Sequence, residues 1–219
     1  MEIIKAINLN KVYGKGITSV HAVNKVNLSI KEGEFVAVVG PSGGGKSTLL
    51  HLLGGLDQPS SGKVLINNQD IYDLPNDQRT IFRRRKIGFI FQFFNLIPIL
   101  TVRENIGLPL ELDGEKPDKE LIDEISNKLG LGDRMDHYPN ELSGGEQQRT
   151  AIARALIHRP SIIFADEPTG NLDRKNSESV LNILRLFNSK YGITIVMITH
   201  NLQLAAQADR IITMQDGKI

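Results

Sequence analysis

The 219-residue sequence contains no cysteine, and this absence excludes disulfide scaffolds, cysteine-ligated zinc sites and thiol catalysis. A chain without cysteine is compatible with a reducing cytosol. An excess of charge of one sign is also missing, because 26 Lys and Arg residues stand against 25 Asp and Glu residues, for a formal net charge of +1. The electrostatic footprint of a nucleic-acid-binding protein is therefore absent.

The sequence also has no long hydrophobic run. Its most apolar stretch, residues 87–100, is interrupted by Gln92 and Asn95 and falls short of the roughly 20 residues that a membrane-spanning helix needs. The first residues alternate polar and apolar types and lack the apolar core of a signal peptide. If the protein acts at a membrane, we expect it to do so through a partner.

The overall composition is that of an ordinary globular protein. Hydrophobic residues make up 40% of the chain and charged residues 23%, which excludes wholesale disorder. A chain of this length forms one sizeable core or two small lobes, and not several full domains.

Several short apolar runs bounded by polar residues are typical of strands that are covered on both faces of a parallel sheet. These runs are Phe35–Val39, Ile87–Phe91, Ile162–Ala165, Ile193–Ile198 and Ile211–Met214. Helical stripes of apolar residues lie between them, at positions 121–129 and 180–187. The alternation of strands and helices predicts an α/β fold.

The chain is expected to be a single domain, residues 1–219, with two kinds of structure in it. Residues 93–160 are mostly helical in pattern and are interpreted as an inserted helical lobe, whereas residues 1–92 and 161–219 form the α/β core. The first thirty residues and Lys63–Ile66 have the pattern of short strands with turns, which predicts an antiparallel edge.

The strongest local motif follows the first of these apolar runs and has the form G-x-x-x-x-G-K-[ST] between a predicted strand and a predicted helix. Its residues are Gly40, Pro41, Ser42, Gly43, Gly44, Gly45, Lys46, Ser47 and Thr48. Glycines let successive backbone N–H groups turn inward around phosphate oxygens at the positive end of a helix. Lys46 is expected to reach the β- and γ-phosphates, and the Ser47 hydroxyl is expected to ligate Mg²⁺.

Two carboxylates, Asp166 and Glu167, end the apolar run that begins at Ile162. Ligands of open α/β sheets bind at the carboxyl ends of the strands. There, Asp166 is expected to hold Mg²⁺ through its water shell, and Glu167 to accept a proton from an attacking water. A carboxylate placed for water favours hydrolysis over phosphoryl transfer to a second substrate.

The segment Leu-Ser-Gly-Gly-Glu at residues 142–146 precedes a helix and allows two interpretations. Ser143 and Glu146 form a capping box, which explains the segment structurally. Two glycines in a first helical turn, however, cost roughly 1 kcal/mol each, and they favour a helix terminus that a large anion approaches. A second anion site on the same chain suggests that a nucleotide is shared between two copies.

In these motifs the chain resembles the nucleotide-binding subunit of ATP-binding-cassette (ABC) transporters over essentially its whole length. The order of the motifs is characteristic of that family: the glycine-rich loop, Gln92 after a strand, the Leu-Ser-Gly-Gly-Glu signature, the Asp166–Glu167 pair, a Gly-Asn-Leu-Asp loop at 170–173, and Thr199–His200. The resemblance implies a P-loop ATPase with a RecA-like parallel-sheet core, an antiparallel β edge and an inserted helical lobe.

The resemblance also implies individual roles. Tyr13 corresponds to the aromatic residue that stacks on adenine, although an ordinary edge-strand tyrosine is the alternative. Gln92 corresponds to the glutamine that senses Mg²⁺ and the attacking water, and His200 to the histidine that contacts the γ-phosphate and steadies Glu167. The other histidines match no motif and are expected at ordinary surface or core positions: His21, His51, His137 and His158.

Ser143, Gly144 and Gly145 match the signature that contacts ATP bound to the other subunit, so the resemblance implies two chains that enclose two ATP molecules. Asp173 matches the loop that crosses the dimer and is also a candidate N-cap for the helix after it. Glu146 departs from the commoner glutamine. Because a carboxylate facing the γ-phosphate would be repulsive, we expect Glu146 to turn back onto the Ser143 backbone N–H.

Two segments, residues 91–105 and 166–173, look like those of one clade: the ATPases of macrolide exporters, lipoprotein-releasing systems and bacitracin-type peptide-resistance transporters. This implies ATP and Mg²⁺ as ligands, a second copy and an integral-membrane permease as partners, no nucleic acid, and a place on the cytoplasmic face of the membrane. The alternative is a soluble ABC ATPase acting on DNA or ribosomes. The basic run 83–86 faces the permease or lipid headgroups or, as we favour, is a solvated edge.

Overall fold

A computed structural model describes the backbone of residues 1–219 and every side chain except that of Ile17. In chain order its strands are β1 (Glu2–Tyr13), β2 (Val20–Lys31), β3 (Phe35–Val39), β4 (Ser61–Ile66), β5 (Gln69–Asp70), β6 (Ile87–Phe91), β7 (Ile162–Asp166), β8 (Thr194–Ile198) and β9 (Arg210–Thr213). The α-helices are α1 (Lys46–Leu53), α2 (Asn76–Lys86), α3 (Val102–Leu112), α4 (Lys119–Lys128), α5 (Gly144–Leu156), α6 (Arg174–Tyr191) and α7 (Leu202–Ala205).

Five of the strands form a parallel sheet in the order β6-β7-β8-β3-β9. Both faces of this sheet are buried, as β3 illustrates: Val36 and Val38 pack on one side, and Phe35, Ala37 and Val39 pack on the other. Two covered faces explain why its strands are continuous apolar runs without alternation. The predicted α/β class with a parallel core is confirmed; β3 and β6 have the predicted bounds, and the ends of β7, β8 and β9 differ from the prediction by one residue at most.

The remaining strands form an antiparallel sheet in the order β2-β1-β4-β5. Its apolar residues share one hydrophobic cluster with α1 and with one face of the parallel sheet. Asn67 and Asn68 make the tight turn between β4 and β5 with backbone φ angles of 50° and 63°, a conformation that asparagine tolerates better than most residues. The predicted antiparallel edge is therefore a full second layer that covers the parallel sheet.

The helices α3, α4 and α5 lie between β6 and β7 in the chain, and no strand occurs in this segment. Their apolar residues, such as Ile106, Ile122 and Ile152, belong to the same hydrophobic cluster as Ala37 and Met197 of the parallel sheet. The helical segment thus shares one core with the sheet. Among the described residues, no helix has both the length and the apolarity to cross a membrane.

Helix α2 was not anticipated from the sequence, because none of its residues is buried and it has no apolar stripe. Its basic end is nevertheless folded onto the protein. Arg83 donates to the Gly55 carbonyl oxygen at 2.8 Å, and the guanidinium groups of Arg84 and Arg85 pair with the carboxylate of Asp113 at the end of α3. Three of the four residues in the basic run therefore contact other parts of the chain, while Arg85 and Lys86 remain exposed at this edge.

Asn105 organises the loop between β6 and α3. Its side chain is fully buried, accepts a hydrogen bond from the Ile97 N–H at 2.8 Å, and faces the carbonyl oxygens of Ile97, Leu100 and Thr101 at 2.9–3.1 Å. The Ile97 N–H and the Leu100 carbonyl have no partner in a strand or helix, so the amide of one side chain takes the place of secondary structure for these two groups. Residues 97–101 consequently keep a defined path without being helical or extended.

We expect Asn105→Leu to lower the free energy of unfolding by at least about 2 kcal/mol, because it removes the hydrogen bonds of a fully buried amide and leaves the Ile97 N–H and the Leu100 carbonyl without this partner. Urea denaturation at neutral pH measures this change. Asn182→Leu is the matched control, since Asn182 is exposed on α6, and it should stay within about 0.5 kcal/mol of the parent. Equal stability of the two variants would contradict the role given to Asn105.

Candidate functional site

The glycine-rich loop runs from the end of β3 to the start of α1 and passes between two other backbone segments. A Cβ atom on Gly40 would lie 1.9 Å from the carbonyl oxygen of Met214, and one on Gly45 would lie 1.9 Å from that of Ala22. The φ angle of Gly45 is 94°, a value that side chains disfavour. The loop therefore needs glycine at both positions for steric reasons.

Lys46 is the first residue of α1, and its ammonium group lies inside the loop. Its Nζ donates to the carbonyl oxygens of Gly40 at 2.9 Å and Pro41 at 2.8 Å. The N-terminus of α1, which carries partial positive charge, and the Lys46 ammonium thus lie next to each other, and this arrangement attracts phosphate groups. Lys46 is nine-tenths buried, so its charge is only partly screened by solvent.

A cavity of about 500 Å³ lies beside the loop. The cavity is bordered by the second half of the glycine-rich motif, the end of β1, the start of β2 and the turn after β9. The lining residues are Tyr13, Val20, His21, Ala22, Gly43, Gly44, Gly45, Lys46, Ser47, Thr48, Asp216 and Gly217. Gly40, Pro41 and Ser42 precede this part of the loop and are not in the cavity lining.

His21, which matches no motif and was expected at an ordinary surface or core position, is exposed and lines the cavity. It lies in β2 opposite Val12 of β1, and this pairing carries it to the cavity next to Tyr13. The sequence contains no motif around His21, so no local signal could have revealed its position. The pairing register of two strands decides it, and a shift of one residue would turn the side chain to the opposite face.

Ser47 and Asp166 are 119 residues apart in sequence, and the Ser47 Oγ atom donates to the Asp166 carboxylate at 3.1 Å. The parallel pairing of β7, β8 and β3 causes this approach, because it aligns the carboxyl ends of the strands. Two hard oxygen donors are what Mg²⁺ takes from a protein when phosphates and waters complete its shell. The described residues include no group of three or more His, Cys, Asp or Glu side chains that could hold a metal ion.

Glu167 follows Asp166 with a left-handed φ of 46°, an uncommon conformation for a residue with a side chain. Its N–H donates to the Ile198 carbonyl at 3.1 Å, and its Oε2 lies 2.9 Å from Nδ1 of His200. An ionised carboxylate can only accept, so in that state the proton of this contact is on the His200 nitrogen. The backbone turn therefore directs the carboxylate away from the strand and toward the histidine.

Gln92 lies just past β6 and contacts the loop that follows β7. Its backbone carbonyl accepts a hydrogen bond from the Asn171 side chain at 3.0 Å, and its own amide nitrogen is 3.4 Å from Asn171 Oδ1. A Cβ on Gly170 would lie 2.8 Å from the same amide nitrogen. Gln92 is thus held against the Gly-Asn-Leu-Asp loop by contacts with Asn171 and Gly170.

The signature segment begins α5, and its capping box is present in full. The Ser143 backbone N–H and hydroxyl donate to Glu146 Oε2 at 2.8 and 2.6 Å, as expected from the sequence. The other carboxylate oxygen accepts from Nε of Arg134 at 2.8 Å, a contact that the sequence did not reveal. The Ser143 hydrogen bonds, and next the one from Arg134, lower the pKa of Glu146 from 4.5 to about 2.

The first turn of α5 packs against the start of α6. A Cβ on Gly145 would lie 2.4 Å from Asn176 Oδ1, so a larger residue here would displace the Asn176 amide. Asn176 is in turn bonded through its backbone and side chain to the Asp173 carboxylate, at 2.8 and 2.7 Å. The predicted N-cap role of Asp173 is confirmed. Ser143, Gly144 and Gly145 do not line the cavity at the glycine-rich loop of this chain.

The capping box generates a prediction about acid stability. Because the folded-state pKa of about 2 lies below the ordinary value of 4.5, ionised Glu146 stabilises the fold above pH 4.5, and this contribution is lost as the pH falls toward 2. Urea unfolding of Glu146→Gln should therefore show lower stability than the parent at neutral pH, with the difference shrinking below about pH 5. Arg134→Met should raise the pH at which the contribution is lost. A difference independent of pH would refute the assignment.

Comparison with known proteins identifies the family of this arrangement. The family model described as "ABC transporter" matches residues 23–170, which contain the glycine-rich loop, Gln92, the signature segment and the two carboxylates. The ATP-binding protein MJ0796 of Methanocaldococcus jannaschii is 48% identical over 223 residues, with 99% of this chain and 94% of that protein covered.

Two further relatives have names that describe transport. The lipoprotein-releasing system ATP-binding protein LolD of Colwellia psychrerythraea is 45% identical over 220 residues, with 100% of this chain and 85% of that protein covered. The macrolide export ATP-binding/permease protein MacB of Syntrophobacter fumaroxidans is 44% identical over 223 residues, and this chain spans 31% of that longer protein.

The fold is similar to that of solved cassettes. The dimeric structure of MJ0796 superposes with a TM-score of 0.91 at 45% identity, over 99% of this chain and 96% of that one. Its post-hydrolysis state, bound to ADP and inorganic phosphate, gives a TM-score of 0.90 at 44% identity, over the same shares. The chain therefore belongs to the ABC transporter family, and it is an ATP-binding, ATP-hydrolysing cassette that resembles those of macrolide export and lipoprotein release.

Proposed function

We propose that this chain is the ATP-hydrolysing subunit of an ABC exporter and drives a separate membrane permease. The observation that carries the catalytic part is the convergence of Ser47, Asp166, Glu167 and His200 at the carboxyl edge of the parallel sheet. The similarity to MacB and LolD supports the exporter part.

ATP binding is assigned to the loop and its cavity. The Lys46 ammonium leaves the carbonyls of Gly40 and Pro41 to contact the β- and γ-phosphates, and the N–H groups of Gly43–Thr48 surround the phosphate oxygens. Tyr13 stacks on the adenine ring with its π face, since it borders the same cavity and is 44% exposed.

The oxygens of Ser47, of Asp166 through a water, and of the Gln92 amide are assigned to Mg²⁺. Their chemistry fits this ion, which prefers oxygen ligands and keeps several waters. Bound there, the ion neutralises charge on the β- and γ-phosphates. The residues of the chain then orient the phosphates and the water for reaction.

Hydrolysis is assigned to Glu167 as general base. Water oxygen forms a bond to the γ-phosphorus, the bond from that phosphorus to the β–γ bridging oxygen breaks, and the water proton goes to the Glu167 carboxylate. The products are ADP and inorganic phosphate. His200 keeps the carboxylate in place through Nδ1 and is 72% exposed, so its other ring nitrogen is available to the γ-phosphate.

A second copy of the chain is assigned to complete each site. Ser143–Gly145 form an N-terminal helix turn suited to an anion but lie outside the cavity of their own chain. Two chains in a head-to-tail arrangement bring each signature segment to the partner's ATP, with Asp173 in the loop between them. MJ0796, which is dimeric in its solved structure, supports this arrangement.

The partner in the membrane is assigned as a permease, which places this chain on the cytoplasmic face of the membrane. ATP binding closes the dimer, closure moves the permease, and hydrolysis at Glu167 resets it. The exported compounds are amphiphiles of the antimicrobial peptide, macrolide or lipoprotein type, and antibiotic resistance is the matching physiological role.

We expect Glu167→Gln to reduce ATP turnover by about 10²- to 10⁴-fold, because the amide cannot accept the water proton. The same variant should accumulate the ATP-bound dimer. ATPase assays and size-exclusion chromatography with and without ATP measure the two effects. Glu178→Gln, at an exposed position of α6, is the matched control and should hydrolyse normally. Turnover of Glu167→Gln at the parental rate would remove Glu167 from the mechanism.

Affinity capture of the tagged chain from detergent-solubilised membranes of its own cell tests the transport assignment. We expect mass spectrometry to identify a permease with a large extracytoplasmic domain, whose number of helices separates the macrolide type from the bacitracin type. The untagged chain is the control for nonspecific recovery. Recovery of ribosomes, DNA or soluble proteins without a permease would overturn the transport role and leave the ATPase assignment intact.

A further inference from the structure

The side chain of Tyr13 is held by two other residues that neither the family motifs nor the catalytic scheme includes. Its phenol donates to Asp57 Oδ2 at 2.6 Å, and Nζ of Lys11 donates to Asp57 Oδ1 at 2.7 Å. Lys11 also lies over the Tyr13 ring, with Nζ at 4.8 Å from the ring centroid. The three side chains form a closed triangle of one hydrogen bond, one ion pair and one cation–π contact.

The triangle is anchored on both sides. Lys11 precedes Tyr13 in β1, and its ammonium also donates to the Gln58 carbonyl at 2.6 Å. Asp57 follows α1, where its N–H donates to the His51 carbonyl and its own carbonyl lies 2.6 Å from the Tyr72 phenol. Since α1 runs from Lys46 to Leu53, the helix and the turn after it connect the phosphate loop to the carboxylate that holds the tyrosine.

Charge and burial both favour the contacts of Asp57 with Lys11 and Tyr13. Burial alone would raise the pKa of Asp57, but the hydrogen bonds from Lys11 and Tyr13 outweigh it and lower that pKa. Burial and the Asp57 hydrogen bond raise the pKa of Tyr13, so the phenol keeps its proton to donate. The Lys11 side chain is only 13% exposed and that of Asp57 30%, so solvent screens the pair incompletely.

We propose that Lys11 and Asp57 are positioning residues for nucleotide binding: they fix the ring of Tyr13, cover one of its faces with the Lys11 ammonium, and leave the other face for adenine. This inference rests on the proposed role of Tyr13 in stacking on the base. A half-exposed tyrosine without such contacts would populate several rotamers, and binding would have to immobilise it at the expense of affinity. The triangle orders the ring before the nucleotide arrives.

The test separates binding of the base from binding of the phosphates. Calorimetric titration with MgADP measures binding of the base and of the phosphates together, whereas titration with magnesium pyrophosphate measures binding to the phosphate loop alone. We expect Lys11→Met, Asp57→Asn and Tyr13→Phe to weaken MgADP binding by about three- to tenfold, the factor for ordering one side chain, and to leave pyrophosphate binding unchanged. Lys5→Met is the matched control on the exposed side of β1 and should bind both ligands normally.

A second set of variants distinguishes positioning from direct contact. In a Tyr13→Ala background, Lys11→Met and Asp57→Asn should cause no further loss of MgADP binding, because there is no ring left to hold. In steady-state assays, Lys11→Met and Asp57→Asn should act on the KM for ATP, which should rise, and not on the turnover at saturating ATP.

Three results would overturn the proposal. Parental MgADP affinity in Lys11→Met and Asp57→Asn would show that the triangle does not order the ring. Equal losses of affinity for MgADP and for pyrophosphate would show that Lys11 and Asp57 support folding of the phosphate loop. A loss of MgADP affinity that persists in the Tyr13→Ala background would show that they contact the nucleotide directly. Normal MgADP binding by Tyr13→Ala would overturn the stacking role itself. If only the triangle is wrong, Tyr13→Ala still loses MgADP affinity, so the two failures can be told apart.

Discussion

The parallel pairing of β3, β8 and β7 is the constraint on which the site depends. Parallel strands in register end at the same edge, so the loop after β3, the carboxylates after β7 and the histidine after β8 meet although they are far apart in sequence. The Ser47–Asp166 and Glu167–His200 contacts are consequences of this alignment. If one of these three strands were antiparallel, the residues that follow it would lie at the opposite edge of the sheet.

Backbone proximity is the second recurring feature, and it explains where glycine is required. The phosphate loop passes so close to neighbouring carbonyls that Gly40 and Gly45 have no room for a side chain. At Gly145 the close neighbour is the side-chain oxygen of Asn176, so this glycine lets the first turn of α5 approach α6. The capping box of the signature segment is present in the structure, and access of an anion to the same turn belongs to the proposed dimer.

Short-range patterns predicted much of the fold. The strands of the parallel sheet were found because burial on both faces leaves continuous apolar runs, and the caps at Ser143 and Asp173 were found because a capping motif is local. Helix α2 was missed because it has no buried residue, and Arg134 was missed because an ion pair to Glu146 leaves no trace in the pattern of either segment. His21 entered the site only through the pairing of β1 with β2.

The chemistry can be read from local sequence: a phosphate loop, a carboxylate pair after a strand and a signature turn are each encoded in consecutive residues, so their residue types reveal what they can bind. Which of these groups lie together depends on the packing of the folded chain. Strand order places Asp166 beside Ser47, a left-handed backbone directs Glu167 to His200, and the turn after α1 brings Asp57 to Tyr13. Such contacts join residues tens of positions apart, and their distances depend on sheet register and helix packing, which no local pattern contains.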